Sequence, residues 1–475
     1  MPLPELLHVD VAIVGTGQAA PSLAVALAGD GESVALIEGH QVGGTCVNNG
    51  CTPTKTLRKS ARVAHMAGRA AEFGVQVGPV RVDFAAAMER MQTRVDSARS
   101  GLEDWLAAQP RLTLIRGWGR FEGGDAARGF RLQAGDRRIM AQRVYLNTGT
   151  RPVVPSIAGL DTVPFLDNVS LLQLRSLPRH LVILGGSYIG LEMGQIFRRL
   201  GSEVSIVETG PRITGREDAD VSDAVHALLL EEGIAVHCGH PVDAVAPLAN
   251  GAGVRVSVGG RQVDGSHLLV ATGRQPNTER LDLGTVGVTV DGRGYVPTDG
   301  ELRTNVTGIW ALGDINKRGA FTHTSYHDHE IVLANHRLQR QGAGGKRRSA
   351  DDRTMAYAMF TDPPLGRVGI GEGEARAMVA QGRRISMATH AMADVSRAKE
   401  ESETTGLIKL LVDDATGRFL GAAIFGIQGD EIIQVISNFM ATGASHQVLK
   451  DALPVHPTVA EFLPTVLGKL KPLAA

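Results

Sequence analysis

Residues 43–55 read G-G-T-C-V-N-N-G-C-T-P-T-K, and they place two cysteines, Cys46 and Cys51, five positions apart. On an ideal α-helix, Cα atoms five positions apart are about 8–9 Å from each other, whereas a disulfide requires about 4.4–6.8 Å. If the two cysteines bond, the backbone between them must leave the helical path, and Gly50 gives it the freedom to do so. The alternative is a pair of ordinary buried thiols. We predict a redox-active pair, because the flanking sequence indicates a nucleotide site.

A strand, a glycine turn and a helix precede this stretch. Residues 9–20 read V-D-V-A-I-V-G-T-G-Q-A-A, and the next strand, S-V-A-L-I-E, ends at Glu38. The turn is a G-x-G-x-x-A pattern formed by Gly15, Gly17 and Ala20. Glycines in such a turn let the backbone approach a pyrophosphate at a helix N-terminus, and the strand-end carboxylate accepts hydrogen bonds from a ribose. The pattern predicts a dinucleotide site.

The same pattern returns about 170 residues later. The run H-L-V-I-L-G-G-S-Y-I-G keeps the outer glycines, Gly185 and Gly190, with Ser187 at the middle position, and the following strand ends at Glu208. Two copies, each in a strand–turn–helix–strand context, predict two dinucleotide sites. Glu208 favours NADH because a carboxylate repels the 2′-phosphate of NADPH. Arg212, four residues later, is a cation that would weaken this preference.

Each half carries a second, matching turn. V-Y-L-N-T-G-T-R-P contains Thr148 and Gly149, and L-L-V-A-T-G-R-Q-P contains Gly273 and Arg274. We predict that these four residues contact the cofactors. The later segment G-I-W-A-L-G-D is expected to be a strand that ends at Asp314, a buried acid placed to bind a cofactor hydroxyl.

These signals predict an α/β fold with two Rossmann-like nucleotide-binding domains and a C-terminal α+β domain. We assign 1–150 and 276–345 to an FAD-binding domain, 151–275 to an NAD(P)-binding domain, and 346–475 to the last domain. The boundary before the last domain is the flexible, charged run G-A-G-G-K-R-R-S. Beyond it, M-A-Y-A-M-F, G-L-I-K-L-L-V-D-D and F-L-G-A-A-I-F-G predict strands, and E-I-I-Q-V-I-S-N-F-M-A-T-G predicts a helix. Residues 84–108 are expected to form one or two amphipathic helices.

Composition excludes several functional classes. The formal net charge of −1 over 475 residues gives no electrostatic footprint for nucleic acid or for a membrane surface. We expect no membrane-spanning helix, since no run of about 18 apolar residues occurs, and the N-terminus lacks the pattern of a signal peptide. We therefore expect a cytoplasmic protein, where a disulfide is more often catalytic than structural. The third cysteine, Cys238, is expected to be a buried small hydrophobe in a strand.

Taken together, G-T-G-Q-A-A, G-G-T-C-V-N-N-G-C-T-P-T-K, G-G-S-Y-I-G-L-E, A-T-G-R-Q-P, A-L-G-D and the terminal H-P-T-V-A-E occur in a specific order. By these motifs the chain resembles the class I pyridine nucleotide–disulfide oxidoreductases, which include glutathione reductase, dihydrolipoamide dehydrogenase and mercuric reductase. The resemblance covers nearly the whole chain. It implies FAD and NAD(P)H as cofactors, an interface domain, and a homodimer whose active site is completed across the dimer.

The resemblance also implies roles for individual residues. Cys51 is the flavin-facing thiol and Cys46 the interchange thiol that attacks substrate. Lys55 lies near the flavin and pairs with Glu192; its position four residues after Cys51 puts both on one helical face. The alternative for Lys55 is a surface cation. Further cofactor contacts are expected from Gly44, Thr45 and Tyr188, and the last of these is either an aromatic gate over the flavin or a packing residue.

The C-terminal motif supplies a candidate acid–base pair. His456 precedes a proline, which disfavours helix and lets it project from a loop. By the resemblance, His456 exchanges a proton with a leaving thiolate and Glu461 orients it; imidazole chemistry suits this near neutral pH. Thr458 and Glu461 also form a T-x-x-E capping box. The two roles of Glu461 are compatible.

The predicted reaction passes electrons from NAD(P)H through FAD to the Cys46–Cys51 disulfide and on to a small disulfide. Mercuric reductases share the cysteine motif but use a further C-terminal cysteine pair, and this chain ends L-G-K-L-K-P-L-A-A, which argues for thiol–disulfide chemistry. No metal site is predicted. Dihydrolipoamide dehydrogenase activity, a low-molecular-weight disulfide reductase, a metal-ion reductase and a non-enzymatic redox-binding or assembly subunit remain as alternatives.

Overall fold

The computed structural model describes residues 6–249, 251–342 and 344–475. In chain order the strands are β1 (Leu6–Val14), β2 (Val34–Glu38), β3 (Leu112–Arg116), β4 (Gly119–Asp125), β5 (Gly129–Ala134), β6 (Arg137–Leu146), β7 (Thr150–Pro152), β8 (His180–Leu184), β9 (Glu203–Glu208), β10 (Ala235–Cys238), β11 (Val242–Pro247), β12 (Val254–Val258), β13 (Arg261–Gly265), β14 (His267–Val270), β15 (Arg274–Pro276), β16 (Ile309–Ala311), β17 (Ala356–Met359), β18 (Leu365–Gly369), β19 (Ile385–Ala391), β20 (Leu407–Asp413), β21 (Phe419–Phe425) and β22 (Lys471–Pro472). The α-helices are α1 (Ala20–Gly29), α2 (Gly44–Asn49), α3 (Cys51–Gly68), α4 (Phe84–Ala107), α5 (Tyr188–Leu200), α6 (Ala219–Glu231), α7 (Thr322–Arg340), α8 (Glu372–Ala380), α9 (Ser396–Glu400), α10 (Gly429–Thr442), α11 (His446–Asp451) and α12 (Phe462–Leu467).

The chain forms two compact units, each built from several segments. The first contains the residues up to Thr56, then Ala86–Val153 and Gly273–Arg353. The second contains Leu57–Ala85, Val154–Thr272 and the residues from Thr354 onward.

The first unit is built on a seven-stranded sheet in the order β3-β2-β1-β6-β5-β4, with β16 also paired to β6. β1 lies parallel to both β2 and β6. Its side chains alternate between two cores, because Val11 and Ile13 pack with α1 whereas Ala12 and Val14 pack on the opposite face. A central parallel strand with both faces buried reads as a continuous apolar run, which is why V-A-I-V is predictable from sequence.

The second unit repeats the strand–turn–helix pattern and adds an antiparallel sheet. β10, β9, β8 and β14 form a parallel sheet in that order, and α5 follows β8 after a glycine turn. Six antiparallel strands, in the order β17-β18-β21-β20-β19-β22, form the other sheet, against which α10 packs. The predicted α/β fold with two nucleotide-binding modules and a C-terminal α+β region is confirmed.

Three local expectations need correction or sharpening. The strand expected to end at Asp314 ends at Ala311, and Asp314 lies in a short 3-10 helix over Gly313–Asn316. Cys238 ends β10 as expected, but it is half-buried rather than fully buried. The amphipathic segment after Phe84 forms a single helix, α4.

A buried lysine ties the start of α6 to the antiparallel sheet within the second unit. Lys409 on β20 donates hydrogen bonds to Asp220 at 2.7 Å and to Glu372 at 2.6 Å, and its ammonium lies 3.4 Å from Asp218. Burial alone lowers the pKa of Lys409, but the bonds to Asp220 and Glu372 outweigh burial and raise it. The ammonium therefore occupies the centre of the three carboxylates.

Replacing Lys409 with methionine, which keeps the chain length, is expected to lower the free energy of unfolding by about 3 kcal/mol. The physical reason is that the substitution leaves three neighbouring carboxylates without their shared cation. Urea denaturation followed by circular dichroism measures the change. Lys450→Met, at an exposed position on α11, is the control, with an expected change within about 0.5 kcal/mol. Equal midpoints for the two variants would contradict the prediction.

Candidate active site

The turn between β1 and α1 accepts only glycine at its key positions. Gly15 has φ +92°, and a Cβ there would lie 2.4 Å from the carbonyl oxygen of Asn147, just past the end of β6. A Cβ on Gly17 would lie 2.6 Å from the side-chain oxygen of Asn147. At the start of α1, the N-cap residue Ala19 supplies no side-chain cap. This arrangement keeps a helix N-terminus open to an anion.

The predicted ribose-binding acid lies at the same sheet edge. Glu38 ends β2, its Oε2 accepts a hydrogen bond from the Thr16 amide at 3.0 Å, and its Oε1 accepts one from the His40 amide at 2.7 Å. A Cβ on Gly44 would lie 3.1 Å from the Cα of Gly17, so the two glycine backbones approach closely. The structure thus brings together the predicted first-site residues Gly15, Gly17, Glu38 and Gly44, with Ala20 as the first residue of α1 and Thr45 next to Gly44.

The two cysteines lie on different helices. α2 ends at Asn49 and α3 begins at Cys51, so the helical path breaks at Gly50, the residue expected to allow such a break if the two cysteines bond. A Cβ on Gly50 would lie 2.9 Å from the carbonyl oxygen of Thr45. Both cysteines are thiols, and the side chain of Cys46 is hydrogen bonded to that of Cys51. That bond, followed by burial, raises the pKa of Cys46.

A threonine that the sequence did not indicate completes this cluster. Thr322, the first residue of α7, lies with its Oγ1 3.1 Å from the Sγ of Cys51 and shares a hydrogen bond with it. The same hydroxyl also interacts with the side chain of Cys46. The first residues of both α3 and α7 therefore lie at the sulfur atoms, where helix N-termini favour negative charge.

The predicted lysine lies one helical turn after Cys51. Lys55 is on α3, at the expected four-residue spacing. Glu192, its predicted partner, lies on α5, is 6 % exposed, and accepts a hydrogen bond from the Phe360 amide at 2.8 Å. The Lys55–Glu192 pair stays a prediction.

Asp314, expected to be a buried acid, is half-buried in the first unit, and its partial burial raises its pKa. Its Oδ2 accepts a hydrogen bond from the Thr150 hydroxyl at 3.0 Å. The guanidinium of Arg274 opposes the effect of burial, and it donates to the Thr150 hydroxyl at 2.7 Å and to the Thr150 carbonyl at 2.6 Å. A carboxyl group kept from water in this way fits a cofactor hydroxyl as its partner.

The second matching turn does not stay with the second nucleotide module. Gly273 and Arg274 belong to the first unit, where β15 pairs with β7. The Thr148 hydroxyl donates to the Asn277 carbonyl at 2.9 Å, and the Gly149 carbonyl accepts from the Asn277 amide at 3.0 Å. These bonds give the four turn residues a role in joining β7 to β15.

The glycine turn after β8 repeats the geometry of the first. Gly185 has φ +114°, and a Cβ there would lie 2.4 Å from the carbonyl oxygen of Ala271, just past the end of β14. A Cβ on Gly190 would lie 2.0 Å from the Gly185 carbonyl oxygen, so the third position of the motif also requires glycine. Tyr188, half-buried, begins α5.

The acid of the second site is held by the backbone. Glu208 ends β9 and accepts hydrogen bonds from the amides of Gly186 at 2.6 Å and Gly210 at 2.7 Å. Arg212, the cation that would weaken a preference for NADH, forms an ion pair with Asp223 on α6. This pairing draws the guanidinium toward α6 and leaves Glu208 to set the charge at the strand end.

The two residues of the predicted acid–base pair are in contact, while their role in proton transfer stays a prediction. The Nδ1 of His456 lies 2.9 Å from the Oε2 of Glu461. The Glu461 amide donates to the Thr458 hydroxyl at 3.2 Å and the Thr458 amide donates to Glu461 at 3.4 Å, so the capping-box bonds form as well. Glu461 thus contacts His456 and takes part in the capping box at the same time.

The segment that carries His456 is apolar and exposed. The side chain of His456 is 75 % exposed, Leu453 is 97 % exposed and Val455 is 75 % exposed. His456 therefore lies next to two exposed apolar side chains.

The sequence did not indicate three residues that the structure places at these sites: Asn147, Asp223 and Thr322. Asn147 lies inside the motif V-Y-L-N-T-G, in which only Thr148 and Gly149 are predicted to contact a cofactor. Thr322 lies 271 positions from Cys51, and no local pattern connects them.

Among the described residues, no helix is long and apolar enough to cross a membrane.

Comparisons with known proteins give a consistent result. Residues 9–328 match the family described as pyridine nucleotide-disulphide oxidoreductase, and residues 355–467 match its dimerisation domain. The chain is 35% identical to a probable pyridine nucleotide-disulfide oxidoreductase, RclA, of Escherichia coli over 97% of this chain and 98% of that protein. It is 33% identical to a mercuric reductase of Streptomyces lividans over 96% and 94%. A dihydrolipoyl dehydrogenase of Chlamydia muridarum is 28% identical over 95% and 94%.

Solved structures give the same picture. The structure described as HOCl-induced flavoprotein disulfide reductase RclA from Escherichia coli superposes with a TM-score of 0.86 at 34% identity, over 97% of this chain and 99% of that one. A Cu(II) complex of the same protein superposes with a TM-score of 0.86 at 33% identity, with the same coverage.

Proposed function

The chain belongs to the pyridine nucleotide–disulphide oxidoreductase family, and from this membership we propose that it passes electrons from NADH through Cys46 and Cys51 to a small disulfide. It is a flavin-dependent oxidoreductase that uses FAD and NAD(P)H. We propose a reducing cytoplasm as its location, because three cysteines in 475 residues suit a compartment where disulfides are catalytic.

The residues of the first unit fit FAD. When bound, FAD carries electrons between the nicotinamide and the cysteine pair. Gly15, Gly17 and Gly44 leave a cradle that a Cβ would fill, Glu38 is the partner for the ribose, and Asp314 is a half-buried carboxyl suited to a cofactor hydroxyl. In the second unit, Gly185, Gly190 and Glu208 are the corresponding residues for NADH.

The hydrogen-bonded His456–Glu461 pair is the observation that carries the disulfide proposal. Reduction of a disulfide releases a thiolate that must take up a proton, whereas one-electron reduction of a metal ion releases no such group. A histidine held at Nδ1 by a carboxylate keeps its Nε2 for proton exchange. His456 supplies the acid, and its exposure lets it meet a substrate or a second subunit.

The exchange steps balance without any further reactant. Cys46 gives its proton to His456 and attacks one substrate sulfur as a thiolate, a mixed disulfide forms, and the other substrate sulfur leaves with that proton from His456. The Cys51 thiolate then attacks Cys46, which releases the second substrate thiolate and forms the Cys46–Cys51 disulfide, and the released thiolate takes its proton from water. Each turnover consumes two electrons and two protons.

The functional protein is proposed to be a homodimer. The chain carries a dimerisation domain, and the exposed Leu453 and Val455 need a cover. A second copy supplies that cover next to His456, consistent with an active site completed by two chains.

Cu(II) reduction is the second candidate. A similar structure that covers 97% of this chain is a Cu(II) complex, and a dithiol is a suitable ligand for copper. On this alternative the Cys46–Cys51 pair donates electrons to the metal ion and His456 has no catalytic role.

An acceptor screen tests the proposal. NADH oxidation is followed with lipoamide, glutathione disulfide, other small disulfides, Cu(II) and Hg(II) as acceptors. We expect at least one small disulfide to react with a kcat/KM of about 10⁴ M⁻¹s⁻¹ or more. Turnover with Cu(II) alone would replace the disulfide proposal with the second candidate, and turnover with no acceptor would favour a non-enzymatic role.

Replacing Glu208 with alanine is expected to shift nucleotide preference. The wild type should favour NADH, and Glu208→Ala should narrow the ratio of kcat/KM for NADH over NADPH about tenfold or more, since the repulsion of the 2′-phosphate is removed. Steady-state rates with both nucleotides measure the ratio. Glu203→Ala, at the opposite end of β9, is the matched control. A wild type that prefers NADPH tenfold would refute the assignment.

A further inference from the structure

Thr322 is the side chain of α7 that reaches the redox centre. Its Oγ1 lies 3.1 Å from the Cys51 sulfur, and it also interacts with the Cys46 side chain. Within the first turn of α7, the helix start is stabilised by a different residue: the Thr324 hydroxyl accepts from the Phe321 amide at 3.2 Å and donates to the Phe321 carbonyl at 2.7 Å. The Thr322 hydroxyl is therefore not the group that stabilises the helix start.

Two side chains, Cys46 and Thr322, form hydrogen bonds with the Cys51 sulfur. The Cys46 thiol is hydrogen bonded to Cys51, and this bond, followed by burial, raises the pKa of Cys46, so Cys46 holds its proton more firmly than a free thiol does. The Thr322 hydroxyl reaches the Cys51 sulfur as well. In the reduced pair, negative charge placed on Cys51 receives both hydrogen bonds, whereas a disulfide sulfur is a weak acceptor. The two donors thus stabilise the reduced pair more than the oxidised pair.

We propose that Thr322 is a catalytic residue of the redox centre, whose hydroxyl donates to the Cys51 thiolate and shifts the pair toward its dithiol form. This inference rests on the proposed redox role of Cys46 and Cys51. On this proposal the hydroxyl of Thr322 stabilises the Cys51 thiolate. Removing the hydroxyl should therefore change the thiol–disulfide equilibrium, whereas removing the γ-methyl should not.

The test is a thiol–disulfide equilibrium on the FAD-loaded enzyme. Wild type, Thr322→Val, Thr322→Ser and Thr324→Ala are equilibrated in glutathione redox buffers, quenched with acid, and scored for free thiols by a mass-tagged maleimide. A lost charge-assisted hydrogen bond corresponds to about a tenfold change in an equilibrium constant. We expect Thr322→Val to shift the constant about tenfold toward the disulfide. Thr322→Ser and Thr324→Ala should stay within about threefold of wild type.

The outcomes separate this inference from the function on which it rests. A wild type that never forms the Cys46–Cys51 disulfide removes the redox pair itself. A pair that forms normally but responds equally to Thr322→Val and Thr324→Ala, or to neither, overturns only the role of Thr322. If Thr322→Val fails to fold by circular dichroism, Thr322→Ala is the second hydroxyl-free variant and is judged by the same criterion.

Discussion

Replacing Cys46 with serine is expected to abolish NADH-dependent disulfide reduction, by at least about a thousandfold in kcat/KM, while reduction of the bound flavin by NADH continues. Serine keeps the shape of the side chain but removes the nucleophile, and the oxygen cannot form a mixed disulfide. Two assays measure the result: steady-state turnover with the best disulfide from the acceptor screen, and anaerobic stopped-flow bleaching of the flavin by NADH.

The third cysteine provides a matched control for this experiment. Cys238 ends β10 and is half-buried in the second unit, so Cys238→Ser should keep wild-type turnover. Cys51→Ser should lose disulfide turnover as fully as Cys46→Ser, because the second exchange step needs its thiolate. Full disulfide-reductase activity in Cys46→Ser would show that the assignment is wrong.

Replacing His456 with glutamine is the second large effect. Turnover with a disulfide should fall by about 10²–10⁴-fold, the range for removing a general acid–base, whereas flavin reduction by NADH should not change. Glu461→Gln keeps a hydrogen-bond acceptor for the Nδ1 of His456 but removes the charge that stabilises an imidazolium, so its loss should be smaller, about 10–100-fold.

An exposed histidine on another element supplies the control. His8, in the first part of β1, can be changed to glutamine with no expected effect on either half-reaction. The same His456→Gln protein also separates the two candidate functions. Cu(II) reduction needs no proton for a leaving thiolate, so a variant that loses disulfide turnover but keeps Cu(II) turnover would show that both acceptors use the cysteine pair by different routes.

The parts predicted correctly are those in which one short stretch carries its own physical reason. Gly15 and Gly185 have backbone angles and close contacts that exclude a side chain. The glycines in the motif therefore directly indicate the turn that the structure shows. The break between the cysteine helices follows from the five-residue spacing and Gly50. Family membership and the fold class, predicted from the order of such motifs, are confirmed.

The contacts that could not be predicted from the sequence are those between segments far apart in the chain. Arg274 is predicted to contact a cofactor, but the bonds of its guanidinium to Thr150, more than a hundred positions away, have no local sign in the sequence. Lys409 lies in the apolar strand sequence L-I-K-L-L, which does not indicate that its ammonium contacts three carboxylates from other segments. The Arg212–Asp223 pair bears on the choice of nucleotide, but a cation eleven residues before an acid has no local signature.

The break at Gly50 also places the two cysteines on helices of different stiffness. Cys51 begins a helix of 18 residues, whereas Cys46 lies in a helix of only six. Short helices have few internal hydrogen bonds and deform at little cost, while long ones behave as rigid rods. When the bond between the sulfurs opens, we expect the displacement to fall on the short helix, so that the sulfur facing the electron source keeps its position while the one facing the acceptor adjusts to it. The break at Gly50 thereby allows the sulfur of Cys46 to move while the sulfur of Cys51 stays in place.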